Sequence, residues 1–298
     1  MAATTPASEG LPPVDLVVML GGMRGGAREA LLRRALEAAA LDTVDAALDS
    51  GRFDRAFLLT DAPLDLDPPA GCAVEIDGEV DGELDRTARD ASSVRDAFSF
   101  GRALADTVAR HRIEAVLYAG AGSAPLLDGD GLVGFAAAFA GATEAGRCVT
   151  NNRFSTDLFA LTPASLLARL DPSPAADNVV SRRLRDEHGV EVIETPRVLE
   201  TQFNLDSPVD LLALGLSGRA RPRLAALLAE SEVAMCLGEG GAVERARRAA
   251  RMFTDRTAEV LVAGRVPSTA WRNLEHEAAS RERVQSEARG KQAGAGPH

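Results

Sequence analysis

Leu16-Val17-Val18-Met19-Leu20-Gly21-Gly22-Met23-Arg24-Gly25-Gly26 sets how the rest of the chain is read. Five apolar residues in a row predict a parallel strand buried on both faces. The glycine pairs after it predict a tight loop, and a helical pattern runs on at once through Ala27 to Ala40. Glycine lets the backbone come close to a ligand, and the open amides of the following helix favour a phosphate. The stretch therefore predicts a nucleotide or sugar-phosphate pocket at the end of the first strand, or else an ordinary glycine-rich strand-to-helix turn. It has no Gly-Lys-Ser/Thr ending and no Gly-x-Gly-x-x-Gly order, so neither common phosphate fingerprint is present.

With 298 residues and 46% apolar content, the chain can bury one large core, or one core and a small satellite. Its net charge of −11 argues against a nucleic-acid partner, which needs a clustered basic surface. Lys291 is the sole lysine, so a cationic catalytic group in the body of the protein has to be an arginine. Cys72, Cys148 and Cys236 are odd in number and far apart, which excludes a disulfide framework and fits a reducing compartment. The first ten residues lack the pattern of a signal peptide, and no apolar run reaches the roughly 20 residues that cross a bilayer. The expectation is a soluble cytoplasmic protein with no membrane association.

Strand and helix signals alternate from residue 14 to about 215. Strands are expected at Asp15–Leu20, Arg55–Thr60, Ala73–Ile76, Ala115–Tyr118, Thr156–Leu161 and Val190–Glu194. Helices are expected at Arg28–Ala40, Leu41–Ser50, Ser93–Arg112, Leu132–Ala142, Pro163–Leu170 and Val179–Glu187. Such alternation predicts an α/β domain, a mostly parallel mixed sheet covered by helices on both faces. The acidic stretch Asp77 to Asp90 has no periodicity and reads as a surface loop or linker. Composition shifts at Ser217-Gly218-Arg219. Beyond it lie helical stretches at Arg221–Ser231 and Ala242–Phe253, a strand at Glu259–Ala263, and a helix from Thr269 to Glu277 that starts near Pro267-Ser268. The domain plan is thus a main domain over 14–216 and a small α+β C-terminal appendage over 217–288, with flexible termini at 1–13 and 289–298. The strand at Glu259–Ala263 needs a partner: the main sheet, another strand of the appendage, or a second subunit. The apolar stripe of Ala242–Phe253 suggests homodimerisation through the appendage.

Three segments together resemble the nucleotidyltransferases of the molybdenum-cofactor and 2-phospholactate guanylyltransferase type, within the nucleotide-diphospho-sugar transferase superfamily. The first is the glycine loop quoted above. The second is Val116-Leu117-Tyr118-Ala119-Gly120-Ala121-Gly122-Ser123-Ala124-Pro125-Leu126-Leu127, similar to the family's strand followed by Gly-Asp-x-Pro-Leu-Leu. The third is Gln202-Phe203-Asn204-Leu205-Asp206-Ser207-Pro208-Val209-Asp210-Leu211, similar to its late Asn/Asp-x-Asn/Asp-Thr-Pro-Glu-Asp-Leu turn. The resemblance implies that Leu20, Gly21, Gly22, Met23, Arg24, Gly25, Gly26, Gly120, Gly122 and Ser123 bind a nucleoside triphosphate such as GTP. It implies Arg24 and Asp206 as catalytic groups, Asp206 and Asn204 as magnesium ligands, and Asn151, Asn152 and Asp157 beside a small phosphorylated acceptor. The reaction implied is nucleotidyl transfer with release of pyrophosphate.

Two positions depart from the family. Ser123 stands where the magnesium aspartate belongs, and the loop has no lysine. Phosphoryl transfer needs positive charge on the transferred group, and a metal needs an anionic anchor. Arg24 or Arg28 could act as phosphate donors, and Asp206, with Asp128 or Asp130, could supply a carboxylate. A non-catalytic nucleotide-binding or assembly protein therefore stays open, as does a glycosyltransferase using Asp128-Gly129-Asp130. Arg182, Arg183 and Arg185 read as a solvated helix face, or as cations for an anionic substrate. Trp271 reads as a packing residue. His111, His188 and His276 have no ligand-spaced partners for zinc, and no serine sits in a Gly-x-Ser-x-Gly elbow.

Overall fold

The computed structural model describes residues 12–21, 25–76, 79–80, 83–84, 100–264, 266 and 268–286. Gly22, Met23 and Arg24 of the glycine loop lie outside the described residues. So do residues 1–11 and 289–298 of the expected flexible ends, residues 287–288 of the expected appendage, most of the Asp77–Asp90 stretch, residues 93–99 of the expected third helix, and Pro267. The chain divides into two compact units, Met1–Val233 and Ala234–His298.

In the first unit the order is β1 (Val14–Leu20), α1 (Ala27–Asp49), β2 (Phe53–Thr60), β3 (Cys72–Ile76) and the two-residue strands β4 (Glu79–Val80) and β5 (Glu83–Leu84). Then come α2 (Phe100–Arg110), β6 (Ala115–Gly120), α3 (Gly129–Ala137), β7 (Arg147–Thr150) and β8 (Leu158–Thr162). The unit closes with α4 (Val180–His188), β9 (Glu191–Glu194), α5 (Leu199–Gln202), α6 (Pro208–Ser217) and α7 (Pro222–Ala229). Seven strands form one sheet in the order β3-β2-β1-β6-β8-β7-β9. Every neighbouring pair is parallel except the two that involve β8. The protein is thus of the α/β class with a mostly parallel mixed sheet.

Strand alternation shows how both faces are filled. Register places Phe57, Val17, Tyr118 and Phe159 side by side across four strands. They form one cluster with Phe100, Leu104 and Val108 of α2 and Leu184 of α4. The alternate residues Leu16, Val18, Leu20 and Leu58 are buried on the other face, where α1 lies against β1 and β2.

Residues 27–49 are a single 23-residue helix, where the sequence suggested two. Nothing between Ala40 and Leu41 breaks a helix, and Asp42 does not cap a new one. Its buried carboxylate accepts the backbone N–H groups of Arg223 (2.9 Å) and Leu224 (3.0 Å), at the start of α7. Glu37, also buried, accepts from the amide of Leu66 at 2.6 Å. Burial pushes both carboxyl pKa values up, with those amide bonds pulling the other way. Since α7 packs on α1, residues 222–229 belong with the first unit.

Beyond α8 (Ser231–Gly238), the second unit contains α9 (Ala242–Thr254), β10 (Glu259–Gly264), α10 (Ser268–Glu277) and β11 (Arg281–Ser286). Its strand finds its partner within the same unit, since β10 and β11 pair in parallel. The amide of Ala279 donates to the Phe253 carbonyl at 2.7 Å and ties the end of α9 to the stretch before β11. Trp271, expected as packing, is 47% exposed. Among the described residues no helix is long and apolar enough to cross a membrane.

Candidate functional site

Parallel strands leave their carboxyl ends free of hairpins, and ligands of open α/β sheets gather there. At that end of the first unit lies a cavity of about 380 Å³. It is lined by Leu20 and Gly21 at the end of β1, Gly120 to Ser123 at the end of β6, and Asn204 to Asp206 before α6. Segments about 100 residues apart in sequence thus share one cavity. A larger, mainly apolar hollow of about 540 Å³, between Pro12, Val108, Ile113, Pro163 and Ala168, lies at the strands' amino ends. Its polar lining residues are Arg112, Glu114, Thr162 and Ser165.

Backbone hydrogen bonds hold the three segments together. The amide of Ala121 donates to the Met19 carbonyl (2.9 Å), and the amide of Leu205 donates to the Gly122 carbonyl (2.8 Å). Ser123 and Asn204 form an isolated antiparallel bridge. Gly122 is required by this approach: a Cβ there would lie 2.6 Å from the Leu205 carbonyl oxygen and 2.7 Å from Leu36 Cδ2. Ala124 follows with φ of +47°, in the left-handed region, at a cost of roughly 1–2 kcal/mol. Strain of this kind persists where surrounding structure enforces it.

The cavity's described charged groups are three aspartates, Asp157, Asp177 and Asp206. Asn151 donates its Nδ2 to Asp157 Oδ1 at 2.6 Å, and Asn204 donates its Nδ2 to Asp157 Oδ2. The Tyr118 hydroxyl donates to Asp177 Oδ2 at 3.2 Å. Burial, followed by the nearby Asp157 charge, raises the Asp177 pKa. Burial also raises Asp206, followed by the charges of Asp210 and Asp157. Burial pushes the Tyr118 phenol well above its ordinary range, with Asp177 adding to it. Like charges share the cavity without a described arginine, lysine or histidine in its lining.

Of the residues the sequence singled out, Leu20, Gly21, Gly120, Gly122, Ser123, Asp157, Asn204 and Asp206 line the cavity. Asn151 stands behind Asp157. Asn152 is a turn residue instead, accepting from the Phe154 amide at 3.0 Å. Gly25 lies just before the start of α1 and Gly26 is its N-cap, with no side-chain cap on the helix. Arg24 lies outside the described residues. The Asp128 carboxylate accepts from the Gly131 amide at 2.9 Å and caps α3, so Asp128-Gly129-Asp130 is a helix start. Arg183 and Arg185 pair with Glu187 and Asp186 on the α4 surface. Asp177 is the charged site residue that sequence reasoning passed over, placed just ahead of the helix expected at Val179–Glu187. Its one signal was an aspartate ahead of a helix with no cap to make, for its side chain bonds Tyr118 instead.

Magnesium usually keeps several waters and takes one or two protein carboxylates together with substrate phosphates. No three acidic, histidine or cysteine side chains gather as metal ligands among the described residues. Asp206, on the exposed side of the cavity, makes no described side-chain bond through its carboxylate, so it fits as a single anchor for an ion that arrives with phosphates.

No family model and no curated protein matches the sequence. Solved structures similar to the chain include a cytidylyltransferase from Leptospira borgpetersenii, at 13% identity and a TM-score of 0.46, covering 76% of this chain and 97% of that one. A protein described as a candidate nucleotide-diphospho-sugar transferase from Desulfovibrio desulfuricans matches at 9% identity and a TM-score of 0.46, covering 78% and 97%. The 4-diphosphocytidyl-2C-methyl-D-erythritol synthase from Anaerococcus prevotii matches at 10% and 0.42, covering 69% and 96%.

Proposed function

We propose that the protein is a nucleotidyltransferase-like enzyme that binds a nucleoside triphosphate in the cavity at the carboxyl ends of β1 and β6. The observation that carries this reading is one cavity lined by Leu20 and Gly21 at the start of the glycine loop, by Gly120–Ser123 and by Asn204–Asp206. Those are the three segments whose residues resemble guanylyltransferase motifs. The α1 N-terminus, with no side chain capping it, would offer its first amides to phosphate oxygens. Arg24, two positions before the Gly26 N-cap in sequence, is assigned to the phosphates because Lys291 is the sole lysine.

In the proposed reaction an acceptor oxygen bonds to the α-phosphorus, the bond from that phosphorus to the bridging oxygen breaks, and pyrophosphate leaves. Asp206 would hold magnesium, which when bound lowers the negative charge on the phosphates. The backbone around Gly122 fixes the pocket, and Asn151 and Asn204 hold Asp157 beside it.

Calorimetry with GTP, CTP, ATP and UTP, each with and without magnesium, tests the reading. Magnesium-dependent binding of one nucleotide, lost in Asp206→Asn, is the expected result. Binding that ignores magnesium would favour a non-catalytic nucleotide-binding protein, a reading supported by Ser123 in the place of an aspartate. No binding by any nucleotide ends both.

A further inference from the structure

One wall of the cavity, formed by Ser155, Asp157, Asp177, Asn178 and Asn204, has a lopsided hydrogen-bond inventory. Asn151 Nδ2 serves both Asp157 and the Thr201 carbonyl (3.0 Å), and Asn204 Nδ2 serves the other oxygen of Asp157. An ionised carboxylate only accepts, so these amides must point nitrogen toward Asp157. Their carbonyl oxygens are left over, and both are buried without a partner. Asn151 is 3% exposed and lies behind Asp157, outside the cavity lining, whereas Asn204 lines the cavity. The Tyr118 hydroxyl is already given to Asp177, and the Ser155 hydroxyl to Asn178 Oδ1 at 3.0 Å. Apart from the Asn178 amide nitrogen, the wall lacks donors and has a surplus of acceptors.

The surplus of acceptors on this wall, above all the Asp157 and Asp177 carboxylates that line it, calls for O–H or N–H groups from a ligand. A phosphate ester would bring more acceptors and more negative charge against Asp157 and Asp177. A compact metal ion would meet no set of three acidic ligands among the described residues. A molecule carrying several donors spread over its length satisfies the wall. We propose that this wall is the acceptor subsite, and that it takes an unphosphorylated acceptor rich in hydroxyl or amino groups, such as a sugar or amino sugar. The word acceptor rests on the nucleotidyltransferase reading, whereas the donor requirement rests on the wall alone. It replaces the phosphorylated acceptor that the family resemblance implies.

Calorimetry of the full chain without nucleotide reads this wall directly, using glucosamine, glucose, glucose 6-phosphate and inorganic phosphate as probes. Saturable binding of glucosamine or glucose is expected, with glucose 6-phosphate weaker than glucose by roughly tenfold and no binding of phosphate. Asp177→Asn should weaken the bound sugar by about tenfold. A preference for glucosamine that disappears in Asp177→Asn identifies recognition of the amino group, and equal binding of both sugars identifies hydroxyl recognition. Should Asp177→Asn not fold, judged by circular dichroism, Ser155→Ala serves as the second variant with a smaller loss in the same direction. Tighter binding of glucose 6-phosphate or phosphate than of glucose overturns the proposal, as does failure of both unphosphorylated sugars to bind. Nucleotide titrations run alongside keep the two readings apart, because sugar binding without nucleotide binding spares this subsite and ends only the transferase.

Discussion

Asp15 at the amino end of the seven-stranded sheet and the aspartates that line the carboxyl-end cavity are treated in opposite ways. At the amino end, Asp15 of β1 is 4% exposed and held by both arms of Arg55, at 3.0 and 2.6 Å. Arg55 also donates to the His111 carbonyl (3.2 Å) and lies over the Phe57 ring, while the His111 ring stacks on Phe57 at 4.2 Å. His111 and Arg110 both engage Glu75. At the carboxyl end, Asp157 and Asp177 have only amide and phenol donors, and Asp206 has no described side-chain bond at its carboxylate. The same sheet pairs Asp15 with Arg55, and Asp61 after β2 with Arg33. It leaves charge unpaired where a ligand is expected, as binding and catalytic sites commonly do.

The contrast breaks most visibly at Gly122. Gly122→Val would push a branched side chain into the Leu205 carbonyl, with an expected loss of about 1–3 kcal/mol and of all ligand binding. Denaturant unfolding and calorimetry check it, and an unchanged midpoint with intact binding would show that the three segments part easily. Asp15→Asn comes next. It turns an amide N–H₂ toward Arg55 and should cost about 2 kcal/mol in denaturant unfolding, without altering nucleotide affinity. A loss of affinity there would erase the distinction between the ends.

Asp177→Asn should act in the other direction, with a gain smaller than the loss at Asp15. Its carboxyl pKa is raised in the folded protein by burial and then by Asp157, so the folded state binds a proton that the unfolded state has released. Stability from this group is therefore highest at low pH and falls as pH rises from the ordinary carboxyl range through the raised value. Thermal melts across that window should show the variant with a shallower fall, and an identical slope contradicts the shift. The smallest effect is expected at the exposed Arg110–Glu75 pair, where a double-mutant cycle should give under about 1 kcal/mol and decline with salt.

The sequence showed most where local pattern and tertiary role agreed. The apolar runs of β1, β2 and β6 are buried on both faces and could be placed within a residue or two. By contrast β7 has four residues, two of them polar, and only its pairing with β8 and β9 makes it a strand. Arg281-Glu282-Arg283-Val284-Gln285-Ser286 carries a single apolar residue, so pattern could not reveal β11. In the site, the glycines and Asn204–Asp206 were legible because close backbone approach restricts residue type. Asp177 was not, since its meaning depends on Tyr118, 59 positions away.

The bond between Asp42 and the α7 amides also decides where the polypeptide can be divided. A polypeptide ending at Gly218, where composition shifts, would strip Asp42 of both amides and strand a carboxylate inside the longest helix. One ending at Val233 keeps α7 in place and coincides with the boundary of the first compact unit. Shortened versions made for crystallisation or binding work should therefore retain residues 219–233, although none of those residues lines the cavity.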